Sequence, residues 1–338
     1  MQNEIQKHKL IIIGSGPAGL TAAIYAARAN LEPIVLAGIE PGGQLMQTTD
    51  VENFPGFPDG ILGPELMQKM IAQAERFGAK IIYENVTNVD FSEDRNFKIN
   101  TDLNEYFTES VIVATGSKAK WLNIENEDKL KGRGVSACAT CDGAFYKNKK
   151  VAVVGGGDTA MEEALFLTNF ASEVILIHRR SEFRASKIMI DRVLANLKIK
   201  TMMNSQVVGF NMNPSLKEGG TPEGDERLEH KFDKLTDIMI QTNLQSPDGT
   251  ASYEEASIQV DGLFVAIGHE PQTIIFKGIL ELDDLGYIIP SKDNVVKTNI
   301  HGVFVAGDVS DPKYRQAILA AGHGCMAMLE AQEYLNER

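Results

Sequence analysis

Cys138 and Cys141 stand two residues apart in "SACATCDGAFY", residues 136–146, with Asp142 directly behind them. Thiols at this spacing can close a small disulfide, hold half of a metal site, or cycle between bonded and free as a redox dithiol. An adjacent acid suits the third option, because a departing sulfur needs a proton. A zinc site needs two more ligands at finger-like spacing. The third cysteine, Cys325, lies far away in "GHGCMA", with His323 two residues before it, which is no typical zinc pattern. No metal site is expected, and Cys325 reads as a small buried helix residue. Three cysteines in 338 residues are also too few for a disulfide-stapled secreted fold.

The second kind of chemistry sits in two glycine turns. "KLIIIGSGPAGLTAAIYAARANLEPIVLAG" reads as a strand at Leu10 to Ile13, a turn, a helix and a second strand at Pro33 to Leu36. Gly14, Gly16 and Gly19 have G-x-G-x-x-G spacing, and their place between strand and helix is what a dinucleotide cradle requires. The plan recurs in "KVAVVGGGDTAMEEALFLTNFASEVILIHRR". Here the strand is Val151 to Val154, the turn runs from Gly155 through Ala160, the helix spans Met161 to Phe170 and the next strand Val174 to Ile177. Two cradles in one chain imply two different nucleotides.

The strand ends after the turns differ. An unphosphorylated ribose is usually met by an acid about 20 residues after the turn. The second unit instead offers His178, Arg179 and Arg180, with Arg184 close behind, a cluster suited to a 2′-phosphate and therefore to NADP(H). The first unit has no acid at its strand end, and Glu40 follows a little later.

These cradles need a scaffold. "VIVATGS" at 111–117 and "LFVAIGHEP" at 263–271 are similar apolar strands ending in glycine, and they bracket the second unit. They read as two crossings between domains, which makes the second domain an insertion into the first. Near the end, "TNIHGVFVAGDVS" gives a strand from Gly302 to Ala306 that stops at Gly307 and Asp308, followed by a long helix in "YRQAILAAGHGCMAMLEAQEYL". An acid placed there can bind flavin hydroxyls. Residues 211–233 are polar and lack both periods, so they read as a surface loop.

Lys plus Arg number 33 against 46 Asp plus Glu, a net charge of -13, which argues against nucleic acid or an anionic membrane as main partner. No segment is apolar enough to span a bilayer, and the polar start "MQNEIQKHK" shows no secretory h-region, so a cytoplasmic location is expected.

Two dinucleotide units, "CATCDG" between them, "HRR" after the second and "GVFVAGD" then "YRQA" near the end make the chain resemble the low-molecular-weight thioredoxin reductases. The resemblance covers nearly the whole chain apart from the polar insertion. It implies an α/β fold with two Rossmann-like dinucleotide-binding domains, the NADPH domain inserted into a discontinuous FAD domain. The bounds would be 1–117 and 269–338 for FAD and 118–268 for NADPH. It implies a homodimer that reduces the disulfide of thioredoxin.

Carried onto these positions, the resemblance assigns FAD to Gly14, Ser15, Gly16, Pro17, Ala18 and Gly19 at a helix N-terminus, where anions are favoured. It adds Glu40, Gly42, Gly43 and Gln44, with Asn53 and Val86. Gly307, Asp308, Arg315, Gln316 and Ala317 would reach the ribityl and ring end. NADPH would meet Gly155, Gly157, Asp158 and Thr159 together with His178, Arg179, Arg180 and Arg184. Cys141 would face the flavin, Cys138 would attack the protein substrate, and Asp142 would act as general acid. Because disulfide and nicotinamide share one domain and the flavin lies in the other, rotation at hinges near Gly116 and Gly268 is expected. Arg133 and Phe145 flank the cysteine loop as candidate docking residues, with Phe145 as core the other reading.

Overall fold

The computed structural model describes residues 7–39, 41–47, 50–213, 234–245 and 251–337. The chain divides into two compact units, one made of Met1–Lys118 and His269–Arg338, the other of Ala119–Gly268.

In the first unit, strands whose carboxyl halves are apolar and buried form the sheet. Lys7–Ile13 pairs in parallel with Ile34–Leu36 on one side and Glu105–Val113 on the other, and Lys80–Ile82 extends the edge beyond Ile34–Leu36. The long Glu105–Val113 strand is shared along its other edge. Its first half pairs antiparallel with Phe97–Thr101, and its end pairs in parallel with Val303–Val305. The register aligns Ile13 with Leu36 and Val113, and Val113 with Val305. The parallel strands therefore all end at one rim, and Gly14, Ala37, Ala114 and Ala306 begin the loops there. Ligands of open parallel sheets bind outside such carboxyl ends.

Two helices cover one face. Pro17–Arg28 presents Ala18, Ala22, Ala23 and Ala26 to the core, and Ala317–Asn336 presents Ala320, Gly324, Ala327 and Ala331. Small residues let the helices approach closely. A Cβ on Gly324 would lie 2.1 Å from the Ala18 carbonyl oxygen, so a glycine is required there.

The second unit repeats the plan. Val135–Ser136, Gly262–Val265, Lys150–Val154, Glu173–Ile177 and Ile199–Met202 form a parallel sheet in that order. Val154 aligns with Val265 and Ile177, which again brings Gly155 and His178 to one rim. Ser136 aligns with Phe264, so the cysteine loop leaves the same carboxyl edge. The helix after the turn spans Asp158–Leu167, starting three residues earlier than its apolar pattern suggests. Helical hydrogen bonds begin as soon as Gly157 ends the turn, with the Met161 N–H donating to the Gly157 carbonyl.

An antiparallel sheet of Ser205–Asn213, Lys234–Gln245 and Ala251–Gln259 joins this unit. Its inner residues Val207, Phe210, Ile238 and Ile240 pack with Ile175, Ile177 and Leu263. The polar segment expected as a loop begins within the first of these strands, and residues 214–233 of it lie outside the described residues.

Candidate functional site

The first glycine turn shows why each glycine is placed as it is. Gly14 has φ +112°, and a Cβ there would lie 2.2 Å from the Ala114 carbonyl oxygen. A Cβ on Gly19 would lie 1.9 Å from the Gly14 carbonyl oxygen, so the helix rests directly on the turn. Gly16 is different, because a Cβ there would meet nothing within 4 Å. Packing does not demand glycine at that position, but close approach of a ligand to the backbone does. Gly16 caps the Pro17–Arg28 helix with no side chain, which leaves first-turn N–H groups to face the same space.

Around this cradle, Ser15 Oγ donates to the Ala37 carbonyl at 3.1 Å and accepts the Gly42 N–H at 3.0 Å. It thus ties the Pro41 to Gly43 bend to the turn. Gly42 and Gly43 carry φ of +102° and +66°, and the ideal Cβ of Gly43 falls 3.5 Å from the Gly16 Cα. Gln44 donates its side-chain N–H to the Ser117 carbonyl. Glu40 lies outside the described residues. Asn53 donates to the Gln316 side chain at 3.4 Å, while Val86 begins a half-buried strand.

The third wall comes from the Gly307 turn. Gly307 has φ +81°, and its ideal Cβ lies 2.9 Å from the Ala18 Cβ, which seats this turn against the first cradle. Burial pushes the Asp308 carboxyl up to about 7, Asp311 adds to the rise and Arg315 opposes it. Such an acid can donate to or accept from a ligand hydroxyl near neutral pH. Asp311 accepts the N–H groups of Lys313 and Tyr314 at 2.9 Å each, and of Arg315 at 3.0 Å. These bonds hold Arg315 at φ +48° and deliver Gln316 and Ala317 to the start of the long helix. A glycine cradle with open space, a helix N-terminus and a protonatable acid at one rim fit a flavin dinucleotide. Asp311 was not singled out in the sequence, although an Asp before Pro is a recognisable turn signal.

In the second unit the pattern repeats. Ideal Cβ atoms at Gly155 and Gly156 would lie 2.4 Å from the Ala266 carbonyl oxygen and 2.2 Å from the His178 ring, whereas Gly157 has nothing within 4 Å. Asp158 and Thr159 open the helix behind it, again without a side-chain cap. Arg179, Arg180 and Arg184 are exposed, and no salt bridge among the described residues involves them. This set fits a dinucleotide with an additional phosphate.

His178 corrects the expectation that it stands with these cations. It is 5% exposed, lies under Gly156 and stacks on Phe183 with ring centroids 5.4 Å apart. Its Nε2 lies 3.1 Å from the Glu182 carbonyl, which only accepts, so that nitrogen carries the proton. Burial lowers its pKa, the Glu182 bond partly opposes this, and the charges of Arg184, Arg180 and Arg179 lower it further. The ring is neutral at pH 7, because the sheet edge and the turn enclose it.

Cys138 and Cys141 form a disulfide with Cα atoms 5.3 Å apart. Cys138 caps the one-turn helix Ala139–Asp142, and its carbonyl accepts the N–H groups of Cys141 at 3.3 Å and Asp142 at 3.2 Å. Thr140 Oγ1 lies 3.4 Å from Cys138 Sγ. Burial raises the Asp142 pKa, and a hydrogen bond from Ser136 partly offsets the rise. Tyr146 is raised by burial and then by Asp142 and Asp261, so it stays a neutral phenol. The pair is thus a preformed disulfide loop with an acid that holds its proton longer than usual. Ser136 and Tyr146 were missed in the sequence, where nothing marks a serine two residues ahead of a cysteine as more than a loop residue. Phe145 is 36% exposed, which excludes the core reading. Cys325 is a half-buried free thiol on the long helix, and its proximity raises the pKa of Tyr25.

The pyridine nucleotide-disulphide oxidoreductase family matches residues 8–324. The chain is 47% identical over 339 residues to a thioredoxin reductase of Vibrio cholerae, covering 99% of each chain. It is 49% identical over 334 residues to one of Escherichia coli, covering 98% of this chain and 97% of the other. Among solved structures, thioredoxin reductase from Giardia duodenalis superposes with TM-score 0.84 at 40% identity, covering 98% of this chain and 100% of that one. A thioredoxin reductase structure from Streptococcus pyogenes gives TM-score 0.84 at 36% identity, with 97% and 98% covered.

Proposed function

The chain belongs to the pyridine nucleotide-disulphide oxidoreductase family, and from that premise we propose which residues carry each part of its reaction. It is an NADPH-dependent thioredoxin-disulfide reductase that uses FAD and the Cys138–Cys141 pair. When bound, FAD takes a hydride from NADPH and passes an electron pair to the disulfide.

The chain's own residues manage the rest. We assign the pyrophosphate of FAD to the backbone around Gly16 and Ala18, and its ribityl and ring end to Asp308, Arg315, Gln316 and Ala317. NADPH is assigned to the backbone at Gly157 and to Arg179, Arg180 and Arg184. Two electrons and two protons convert the Cys138–Cys141 disulfide into a dithiol. The Cys138 thiolate attacks one sulfur of the oxidised thioredoxin, forming a mixed disulfide and expelling the other sulfur. Cys141 then attacks Cys138, which re-forms the internal bond and expels the second sulfur. The two departing sulfurs take up the two protons that Cys138 and Cys141 release as they attack, and Asp142 is placed to relay each one. The observation that carries this assignment is the vicinal disulfide with a half-buried, proton-retaining acid as its next residue.

Arg133 and the exposed Phe145 are proposed to meet thioredoxin. Gly116 and Gly268, with φ of +70° and +107° beside the two crossings, are proposed hinges. A homodimer and a cytoplasmic location complete the reading. No described helix is long and apolar enough to cross a membrane.

The test is a coupled assay of the flavin-loaded protein with NADPH or NADH and a thioredoxin, with Cys138→Ser and Cys141→Ser beside it. NADPH-selective turnover that both variants abolish is the expected result. Full activity in either serine variant overturns the assignment of the sulfurs, and equal use of NADH overturns the arginine clamp. A cross-link between the two units that leaves turnover unchanged overturns the hinges.

A further inference from the structure

We infer that residues 179–186 form a preshaped 2′-phosphate loop, stapled at three points to the glycine turn, to the first residue of its helix and to His178 at the strand end, and that Phe183, Ser186 and Asp158 are positioning residues for coenzyme selectivity. The inference rests on the proposed arginine clamp and says what gives that clamp its shape.

The staples are independent of one another. The Arg184 N–H donates to the Gly156 carbonyl at 2.7 Å, which fixes the backbone of one clamp arginine to the turn itself. Asp158 Oδ1 accepts both the Ser186 N–H at 2.9 Å and the Ser186 hydroxyl at 2.7 Å, fixing the far end of the loop to the first residue of the turn's helix. Between them, Phe183 stacks on His178, and His178 Nε2–H donates to the Glu182 carbonyl. His178 is anchored in turn, because its N–H donates to the Met202 carbonyl and its carbonyl accepts the Ser205 N–H.

Exposed arginines lose rotamer freedom when they bind, and a mobile loop would lose backbone freedom as well. With the loop already fixed, only the side chains must be ordered. The same staples join the turn that faces a pyrophosphate to the loop that faces the 2′-phosphate, so the two charged groups of one coenzyme meet one rigid body. A coenzyme lacking the 2′-phosphate uses the turn and ignores the loop. Loosening the loop therefore selects against the phosphorylated coenzyme alone.

The experiment titrates the oxidised holoenzyme with 2′,5′-ADP and with 5′-ADP by calorimetry. Ser186→Ala and Phe183→Ala are compared with Arg180→Ala, and Asp158→Ala with the acceptor-retaining Asp158→Asn. The stapled loop predicts about tenfold weaker 2′,5′-ADP binding in Ser186→Ala and Asp158→Ala, the scale of one hydrogen bond to a charged group, with 5′-ADP changed by less than about twofold in Ser186→Ala. Asp158→Asn recovers much of the loss. Equal weakening of both ligands, or none, while Arg180→Ala still loses 2′,5′-ADP, overturns the inference and leaves the clamp standing. If Arg179→Ala and Arg180→Ala both bind 2′,5′-ADP as the parent does, the clamp falls and the inference falls with it. Ser186→Ala removes only a surface hydroxyl, so it reports even if Phe183→Ala does not fold.

Discussion

The Ser136 hydroxyl accepts the Cys138 backbone N–H at 3.0 Å. The same hydroxyl donates to the Cys138 carbonyl at 3.4 Å and also lowers the Asp142 pKa against the rise from burial, so one side chain acts on both the residue of the attacking sulfur and the acid behind the pair. Asp142→Asn keeps the shape of this arrangement and removes the proton. Thioredoxin reduction should fall about a hundredfold, the low end for loss of a general acid, while reduction of the flavin by NADPH proceeds as before. Burial raises the Asp142 pKa, so the acid form persists to higher pH than an ordinary aspartate allows. The dithiol-exchange rate should therefore decline as pH rises through that raised pKa, and the Asn variant should lack this limb. Stopped-flow half-reactions across pH separate the two steps, and a wild-type limb in the Asn variant would remove Asp142 from the role.

Replacing either sulfur stops exchange in a different way. With Cys141→Ser, Cys138 can form a mixed disulfide with thioredoxin but cannot be released from it. With Cys138→Ser no such adduct forms. Turnover should drop by about a thousandfold or more in both, as expected when a covalent nucleophile is lost. Non-reducing electrophoresis after mixing with reduced flavoenzyme and oxidised thioredoxin distinguishes them. A trapped complex from Cys138→Ser and none from Cys141→Ser would reverse the assignment.

Much of this was legible in the sequence because the responsible signals are local. Gly14, Gly16 and Gly19 between an apolar strand and an alanine-rich helix mark the cradle without any tertiary information, and the cysteine spacing marks the dithiol. His178 was misplaced for a physical reason. Sequence puts it beside Arg179 and Arg180, but the residue at a strand end still points into the sheet layer, and only the next residues reach solvent. The Asp158 to Ser186 and Arg184 to Gly156 bonds join residues 28 apart, and no short-range pattern encodes them. The small antiparallel sheet was hidden because its third strand is polar and exposed along most of its length.

The glycines offer a test that separates fold from ligand. Gly14→Ala and Gly155→Ala place a methyl 2.2 and 2.4 Å from carbonyl oxygens of neighbouring strands, so both should destabilise the protein by several kcal/mol or prevent folding. Gly16→Ala and Gly157→Ala meet no protein atom within 4 Å. Their melting temperatures without ligand should stay within a few degrees of the parent. Gly16→Ala should instead lose flavin, read as the absorbance ratio of visible to ultraviolet bands. Gly157→Ala should weaken NADPH by about tenfold or more while flavin content is kept. Full coenzyme affinity in the Gly157 variant would remove that turn from the NADPH site.

Asp308 makes the flavin-free protein sensitive to pH in a window that can be stated in advance. Its carboxyl is held up to about 7, first by burial and then by Asp311, against the opposing charge of Arg315. In the unfolded chain an aspartate titrates near about 3.9. Between these values the folded form keeps a proton that the unfolded form has released. Folding stability from this group is therefore fully present below about 4, is lost as pH rises towards about 7, and changes no further above that. Asp308→Asn removes the titrating group and keeps its volume. Subtracting the variant's unfolding free energy from that of the parent, both stripped of flavin, cancels the other carboxylates. The difference should fall with a slope of at most about 1.4 kcal/mol per pH unit between about pH 4 and 7 and be flat above it. Denaturant titrations at several pH values give this directly. A flat difference across the window would mean that the carboxyl titrates as an ordinary surface acid, and with that the case for Asp308 as a hydroxyl-binding acid near neutral pH would be lost.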